Sequence, residues 1–259
     1  LVESRDEVAE LVKMSAELDL IIPRGSNELV QYIQKNAQVP VLGHADGICH
    51  VFLDEAADEA KSLEVSLDSK LDYPAVCNAS ETLLVHQNFT DKLLADILRK
   101  MQDAGVELRV CAETETRLQN YPQLKLKKAD EEDWKTEYID LILAVKSVKS
   151  AEAAVQHINH YGSKHTDTIV TENAELAEWF MNTVDSAGVF WNASTRFADG
   201  FRYGLGAEVG VSTGKIHARG PVGLEGLVIY KYKLYGNGHG VGRYSNAKRE
   251  LLHENIALD

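Results

Sequence analysis

A chain of 259 residues with 44% hydrophobic and 26% charged side chains has the composition of a globular protein, which excludes the disordered, collagen-like and disulfide-scaffold classes. Forty acidic against 27 basic side chains leave a net charge of −13, which repels phosphodiester backbones and anionic lipid surfaces and argues against nucleic acid or membrane partners. No apolar run approaches the roughly 18 residues of a membrane span, and three scattered cysteines suit a reducing compartment, cytosol or mitochondrial matrix, better than a disulfide framework.

In chain order, residues 6–14 read as a helix, 18–22 as a strand, 23–26 as a turn, 27–35 as a helix and 39–42 as a strand. This βαβ rhythm predicts a parallel sheet buried on both faces, with ligand beyond the carboxyl ends of its strands, where Gly25 and Ser26 stand. The alternation continues as an apolar run over 48–53, a helix over 58–70, a loop over 72–80 and a strand over 81–85. A helix over 90–104, a strand over 106–110 and a charged surface link over 125–135 follow. Then come a β-rich run over 138–148, a helix over 151–160, a strand over 167–171 and a helix over 175–184. Glycines crowd the segment from Gly200 to Gly226, a density that marks backbone passing close to something. Residues 228–235 alternate as a two-faced strand that needs a sheet to join.

Thiolate chemistry needs an accessible cysteine in a field that favours the anion. Cys77, in the loop Tyr73-Pro74-Ala75-Val76-Cys77-Asn78-Ala79, has the best position, although position alone leaves a packed thiol equally open. Cys49 and Cys111 lie in apolar runs and read as core thiols. His44, Cys49, His50, His157, His160 and His165 include zinc-ligand types, but the i, i+3 pair His157/His160 lacks the acidic partner of a metallohydrolase helix, so polar helix surface is favoured and no metal is expected. Ser194 and Ser212 lack a nucleophile-elbow setting. Arg196, Arg202 and Arg219 stand among glycines in an acidic chain, a pattern suited to carboxylate or phosphate recognition. That reading is favoured for Arg196 and Arg219 over an internal ion pair with Glu208 or Asp199, and is level with it for Arg202.

Taken together, Ile22-Pro23-Arg24-Gly25-Ser26, the run from Val41 to His50, the run from Asp72 to Ala79, and His157-Ile158, Tyr161-Gly162-Ser163 and His165-Thr166-Asp167 at their spacing resemble gamma-glutamyl phosphate reductases. Residues 191–197, 204–210 and 217–226 extend the resemblance to about Tyr235. This family lies in the aldehyde dehydrogenase superfamily and occurs alone or as the C-terminal module of delta-1-pyrroline-5-carboxylate synthase. The resemblance implies an α/β aldehyde dehydrogenase-like fold. Residues 1–42 would be the C-terminal part of the NADPH-binding domain, 43–204 the catalytic domain, 205–227 a glycine-rich return segment and 228–259 an oligomerisation strand and tail. It further implies NADPH-dependent reduction of L-glutamyl 5-phosphate to glutamate 5-semialdehyde and phosphate in proline synthesis, by a homo-oligomer.

In that implied scheme Cys77 is the nucleophile and forms a thioester, Gly25 and Ser26 meet the cofactor pyrophosphate, and Glu137 bonds the nicotinamide ribose. Ser194, Thr195, Arg196 and Arg219 hold the substrate anions. Val41 stands where hydrolytic relatives carry the water-activating glutamate. The family's first βα units, with a cofactor-binding lysine and an oxyanion-hole asparagine, would precede Leu1, which opens inside a helix-like pattern without an initiator methionine; a fragment is therefore expected. Two rival readings are a non-catalytic oligomerisation or anion-binding fragment and a cofactor-independent cysteine acyl transferase.

Overall fold

The structure is a computed structural model that describes residues 4–44, 46–245 and 250–254. Contacts divide the chain into two units, Leu1–Leu227 and Val228–Asp259.

The first unit opens with helix α1 (Arg5–Leu11), closed by a capping box between Ser4 and Glu7, and helix α2 (Asn27–Asn36). The apolar runs predicted at 18–22 and 39–42 meet in parallel, but only as a single bridge, Ile21 to Val41. With one neighbour each among the described residues, they form a contact and no ladder.

A seven-stranded sheet follows. Strands β1 (Cys49–Leu53), β2 (Ser80–His86), β3 (Glu107–Val110), β4 (Leu126–Lys128), β5 (Ile142–Val148), β6 (Thr166–Val170) and β7 (Gly188–Trp191) lie in the order β4-β3-β5-β2-β1-β6-β7, every pairing parallel. Helices α3 (Glu59–Leu71), α4 (Asp91–Asp103), α5 (Ala112–Arg117), α6 (Ala151–Tyr161) and α7 (Ala174–Thr183) carry the chain between strands. Alternation along the central strands sorts the core. Val51, Leu53, Leu83 and Val85 turn to one face against Leu94, Ile97, Leu98 and Met101 of α4, while Phe52, Leu84 and Ile169 turn to the other against α6 and α7.

The link over 125–135, expected as surface, contains β4 and a short 3-10 turn, Glu132–Lys135, whose Trp134 is buried. Trp134 packs with Cys111 and Ala144 beside Tyr138 and Tyr161, which outweighs the local run of charge. The glycine-rich segment forms an antiparallel pair, β8 (Gly210–Ser212) and β9 (Gly220–Val222).

In the second unit, residues 228–235 form no strand among the described residues, because a strand needs a neighbour to take its backbone hydrogen bonds. Ile229, Tyr232 and Leu234 are 92%, 98% and 99% exposed in the single chain. Among the described residues no helix is long and apolar enough to cross a membrane.

Candidate active site

Cys77 lies in the loop that returns from the end of α3 to the start of β2. Gly47 precedes β1 and His165 precedes β6, so this site gathers at the amino ends of three adjacent strands. The carboxyl-end rule predicted from residues 18–42 does not govern it. The reason is local: α3 delivers the loop to the edge from which β2 departs.

Several bonds fix the loop. Ser69 near the end of α3 donates through its hydroxyl to Ser194 Oγ (3.2 Å) and accepts from Thr195 N–H (3.2 Å). Thr195 Oγ1 donates to the Asn78 carbonyl at 2.6 Å, and the Asn78 side chain donates to the Ala198 carbonyl at 3.0 Å. The short 3-10 turn Thr195–Phe197 thereby clamps the residue next to Cys77. From the other side, Cys49 Sγ donates to the Cys77 carbonyl at 3.3 Å. A Cβ on Gly47 would fall 2.2 Å from the Cys77 carbonyl oxygen and 2.5 Å from its Cα, so the two backbones touch only because residue 47 has no side chain.

The electrostatics differ from the expected anion-favouring field. Burial, then the charges of Glu137 and Glu208, push the Cys77 thiol up to about 11, with Arg196 opposing them. Cys49 is pushed well above its usual range by burial first and then by Asp167. Burial also raises Glu137 above the ordinary carboxylate range, against hydrogen bonds from the Gly47 N–H and the Asn27 side chain. Asn27 Nδ2 also donates to Asp46 Oδ1 at 2.5 Å. The start of α2, the Gly47 loop and Glu137 are thus joined. Ser26 caps α2 by accepting from Leu29 N–H, and Gly25 has φ +149, where an added Cβ would press on Leu29.

Beneath the loop, Lys70 Nζ donates to Glu81 Oε2 at 2.7 Å, both side chains being buried. Burial raises Glu81 to about 7 and lowers Lys70. The histidines are less exposed than their helix-surface reading implied. His157 is buried against Trp134, His50 and Tyr161, because it lies on the inward face of α6, whereas His160 is exposed. His44 Nδ1 donates to the Val211 carbonyl at 2.9 Å, and its ring meets that of His165 edge to face at 5.0 Å.

Of the arginines, Arg196 reaches the thiol's field while its Nε and Nη2 hold Asp72 Oδ2 at 3.1 and 3.0 Å. Its partner is therefore Asp72, neither Glu208 nor Asp199. Arg202 lies 3.8 Å from the same carboxylate oxygen. Arg219 is engaged elsewhere: Asp185 takes its Nη2 at 3.1 Å, and Lys164 and Lys215 crowd the same carboxylate. Gly47, Ser69 and Asp72 belong to this site without having been singled out individually, and Glu208, considered only as an arginine's partner, acts instead on the Cys77 thiol. The first two had no sequence signal beyond a glycine in a loop and a serine near a helix end.

No family model matches the chain. The solved structure of gamma-glutamyl phosphate reductase from Thermotoga maritima superposes with a TM-score of 0.86 at 43% identity, over 92% of this chain and 56% of that one. An acetylating aldehyde dehydrogenase from Geobacillus thermoglucosidasius shares the fold at a TM-score of 0.62 and 19% identity, over 90% of this chain and 61% of that one. With the parallel sheet and the clamped cysteine loop, these likenesses define an α/β protein of the aldehyde dehydrogenase-like class. Its curated relatives are more particular. Gamma-glutamyl phosphate reductases from Acetivibrio thermocellus and Synechocystis are 55% and 56% identical over 99% and 95% of this chain. The chain is thus a homologue of the gamma-glutamyl phosphate reductases over nearly all its own residues, and it spans about 58% and 55% of the length of those two relatives.

Proposed function

We propose that the protein carrying this chain reduces L-glutamyl 5-phosphate with NADPH to L-glutamate 5-semialdehyde and phosphate, a step of proline synthesis. The observation supporting this most directly is the Cys77 loop, clamped by Thr195 and pressed against Gly47 in a chain whose relatives carry the reductase name. Cys77 Sγ, once deprotonated, attacks the γ-carbonyl carbon; the C–S bond forms, the C–O bond to phosphate breaks, and a thioester results. Arg196 is the cation beside the thiol and draws the substrate's negative charge towards it. Ser194 and Thr195 hold the loop, with Thr195 fixing the backbone next to the nucleophile. Arg219 is left out of this set: both arginines are paired with a carboxylate, but Arg196 is the one among the main charges acting on the Cys77 thiol.

The residues present fit a nicotinamide cofactor in part. The capped start of α2 at Gly25 and Ser26 suits an anionic pyrophosphate, and Glu137, joined to that start through Asn27, suits a ribose hydroxyl. When bound, the cofactor supplies the hydride that reduces the thioester. We assign residues 1–42 to the cofactor side, and 228–235 to contact with a second copy of the chain, in keeping with its exposed apolar side chains. The free thiols fit the cytoplasm or another reducing compartment.

Val41 sits in the bridge to Ile21 and offers no carboxylate to activate water. The full-length protein, given glutamate 5-semialdehyde and NADP⁺, should therefore form NADPH only when phosphate or arsenate is present to accept the acyl group. Cys77→Ser should abolish the reaction. Steady NADPH formation without either anion would show that water deacylates the thioester, and turnover of an activated ester without nicotinamide would favour an acyl transferase.

A further inference from the structure

We propose that His44, Cys77 and His165 form a binding site for a thiophilic divalent cation, zinc above others, which reversibly withdraws the Cys77 thiol. One ligand atom from each of the three lies within 4.8 Å of the others, the only such group of three or more His, Cys, Asp and Glu side chains among the described residues. The two rings are prepared as ligands. A carbonyl can only accept, so the 2.9 Å bond to Val211 fixes the proton of His44 on Nδ1 and leaves a lone pair on Nε2. His165 is fully buried; its Nδ1 meets Thr166 Oγ1 at 3.0 Å and Cys49 Sγ at 3.8 Å, while its Nε2 has no partner. An orphaned buried imidazole nitrogen costs free energy unless something fills the gap.

Two imidazole nitrogens and one thiolate, with the fourth position left to water, make a donor set that zinc takes in open sites. Bond lengths of about 2.0–2.3 Å would require the ligand atoms to draw together by roughly 1 Å. Cys77 and His44 both stand on loops, whereas His165 is anchored at the start of β6. On binding, the Cys77 S–H bond breaks, an S–metal bond forms and one proton passes to solvent, with no change of oxidation state. The Glu137 carboxylate, whose charge opposes a free thiolate at Cys77, faces a net positive centre once the metal is bound.

Loss of catalysis on metal binding rests on the proposed role of Cys77 as nucleophile; metal binding itself does not. The full-length protein is titrated with Zn²⁺ while alkylation of each cysteine is followed by peptide mass spectrometry, with Co²⁺ absorption reporting thiolate ligation. Expected are a slowing of Cys77 alkylation by about tenfold or more, unchanged labelling of Cys49 and Cys111, recovery with a chelator, and a thiolate-to-cobalt band. His165→Gln and, on the loop, His44→Gln should each remove the protection while the melting curve of His44→Gln stays that of the parent. Absence of protection at millimolar Zn²⁺, or protection that survives both substitutions, would overturn the site. Zinc that protects Cys77 while semialdehyde formation continues would uphold the metal site and dismiss Cys77 as nucleophile.

Discussion

Gly47 and Cys77 show how much of this chemistry depends on single atoms. The amide and carbonyl of Ile48 are both tied to Ser163 Oγ, at 2.8 and 3.3 Å, so the backbone at residue 47 is pinned from its own side. Gly47→Ala would set a methyl 2.2 Å from the Cys77 carbonyl oxygen, and the cysteine loop must give way. A displacement near 1 Å at a nucleophile costs on the order of 10²-fold in rate. We expect that loss in semialdehyde formation, with a melting temperature only slightly lowered; wild-type turnover would mean the loop position is immaterial. The thiol itself makes a separate prediction. With Cys77 pushed up to about 11, its alkylation in the ligand-free protein should climb about tenfold per pH unit from pH 7 to 10, following the thiolate fraction. A plateau below pH 8 would show an anion already stabilised.

Among the elements, apolar runs separated by amphipathic segments made the parallel sheet legible, and most strands and helices fall within a residue or two of their predicted bounds. Four misplaced runs have physical causes. The run 125–135 hides β4 and Trp134 because tertiary packing against Cys111 and Ala144 overrides its charge, 18–22 and 39–42 stop at a single bridge for lack of a second neighbour, and 228–235 finds no strand to pair with among the described residues. Cys77 and Arg196 were legible as candidates, because their neighbours in sequence are distinctive, and the fold brings the charge of Arg196 to bear on the thiol. The partners of Arg196 and Arg219 were not, because Asp72 and Asp185 are brought to them by the fold from distant stretches of chain.

Lys70 is a further case: nothing in the helix pattern marks it as fully buried, yet α3 carries it onto Glu81 of β2, directly under the cysteine loop. Removing one partner strands the other charge. Lys70→Met should destabilise the protein by about 3–5 kcal/mol in denaturant titration. Lys70→Met with Glu81→Leu should recover most of that loss. A double variant no better than the single one would mean that the pair's hydrogen bonding, and not its charge, holds α3 to the sheet.

At the scale of the whole molecule, the groups that burial drives away from their ordinary values decide how the protein meets acid. Burial lowers His157 to about 2 and His165 to about 3, so both stay neutral in the fold but take up protons near 6.5 when the chain unfolds. The unfolded state then binds more protons between about 3 and 6.5; the two histidines contribute stability that is complete above 6.5 and lost as pH falls below it. Glu81 acts in the opposite sense. Raised to about 7 from 4.5, it is protonated in the fold before it is in the unfolded chain, and so stabilises as pH falls through that window. Two histidines outweigh Glu81, and Glu137, also raised by burial, reduces what remains, so at most about one extra proton stays on the unfolded chain near pH 5.5. Stability should therefore fall by up to roughly 1.4 kcal/mol per pH unit between 6 and 5. Replacing Glu81 by leucine together with Lys70→Met removes the more strongly opposing group and should steepen that slope in denaturant titrations at pH 6 and 5. His157→Phe, which keeps a ring between Trp134 and Tyr161, should lower it. A slope that ignores both changes would place the acid-sensitive groups outside this buried set.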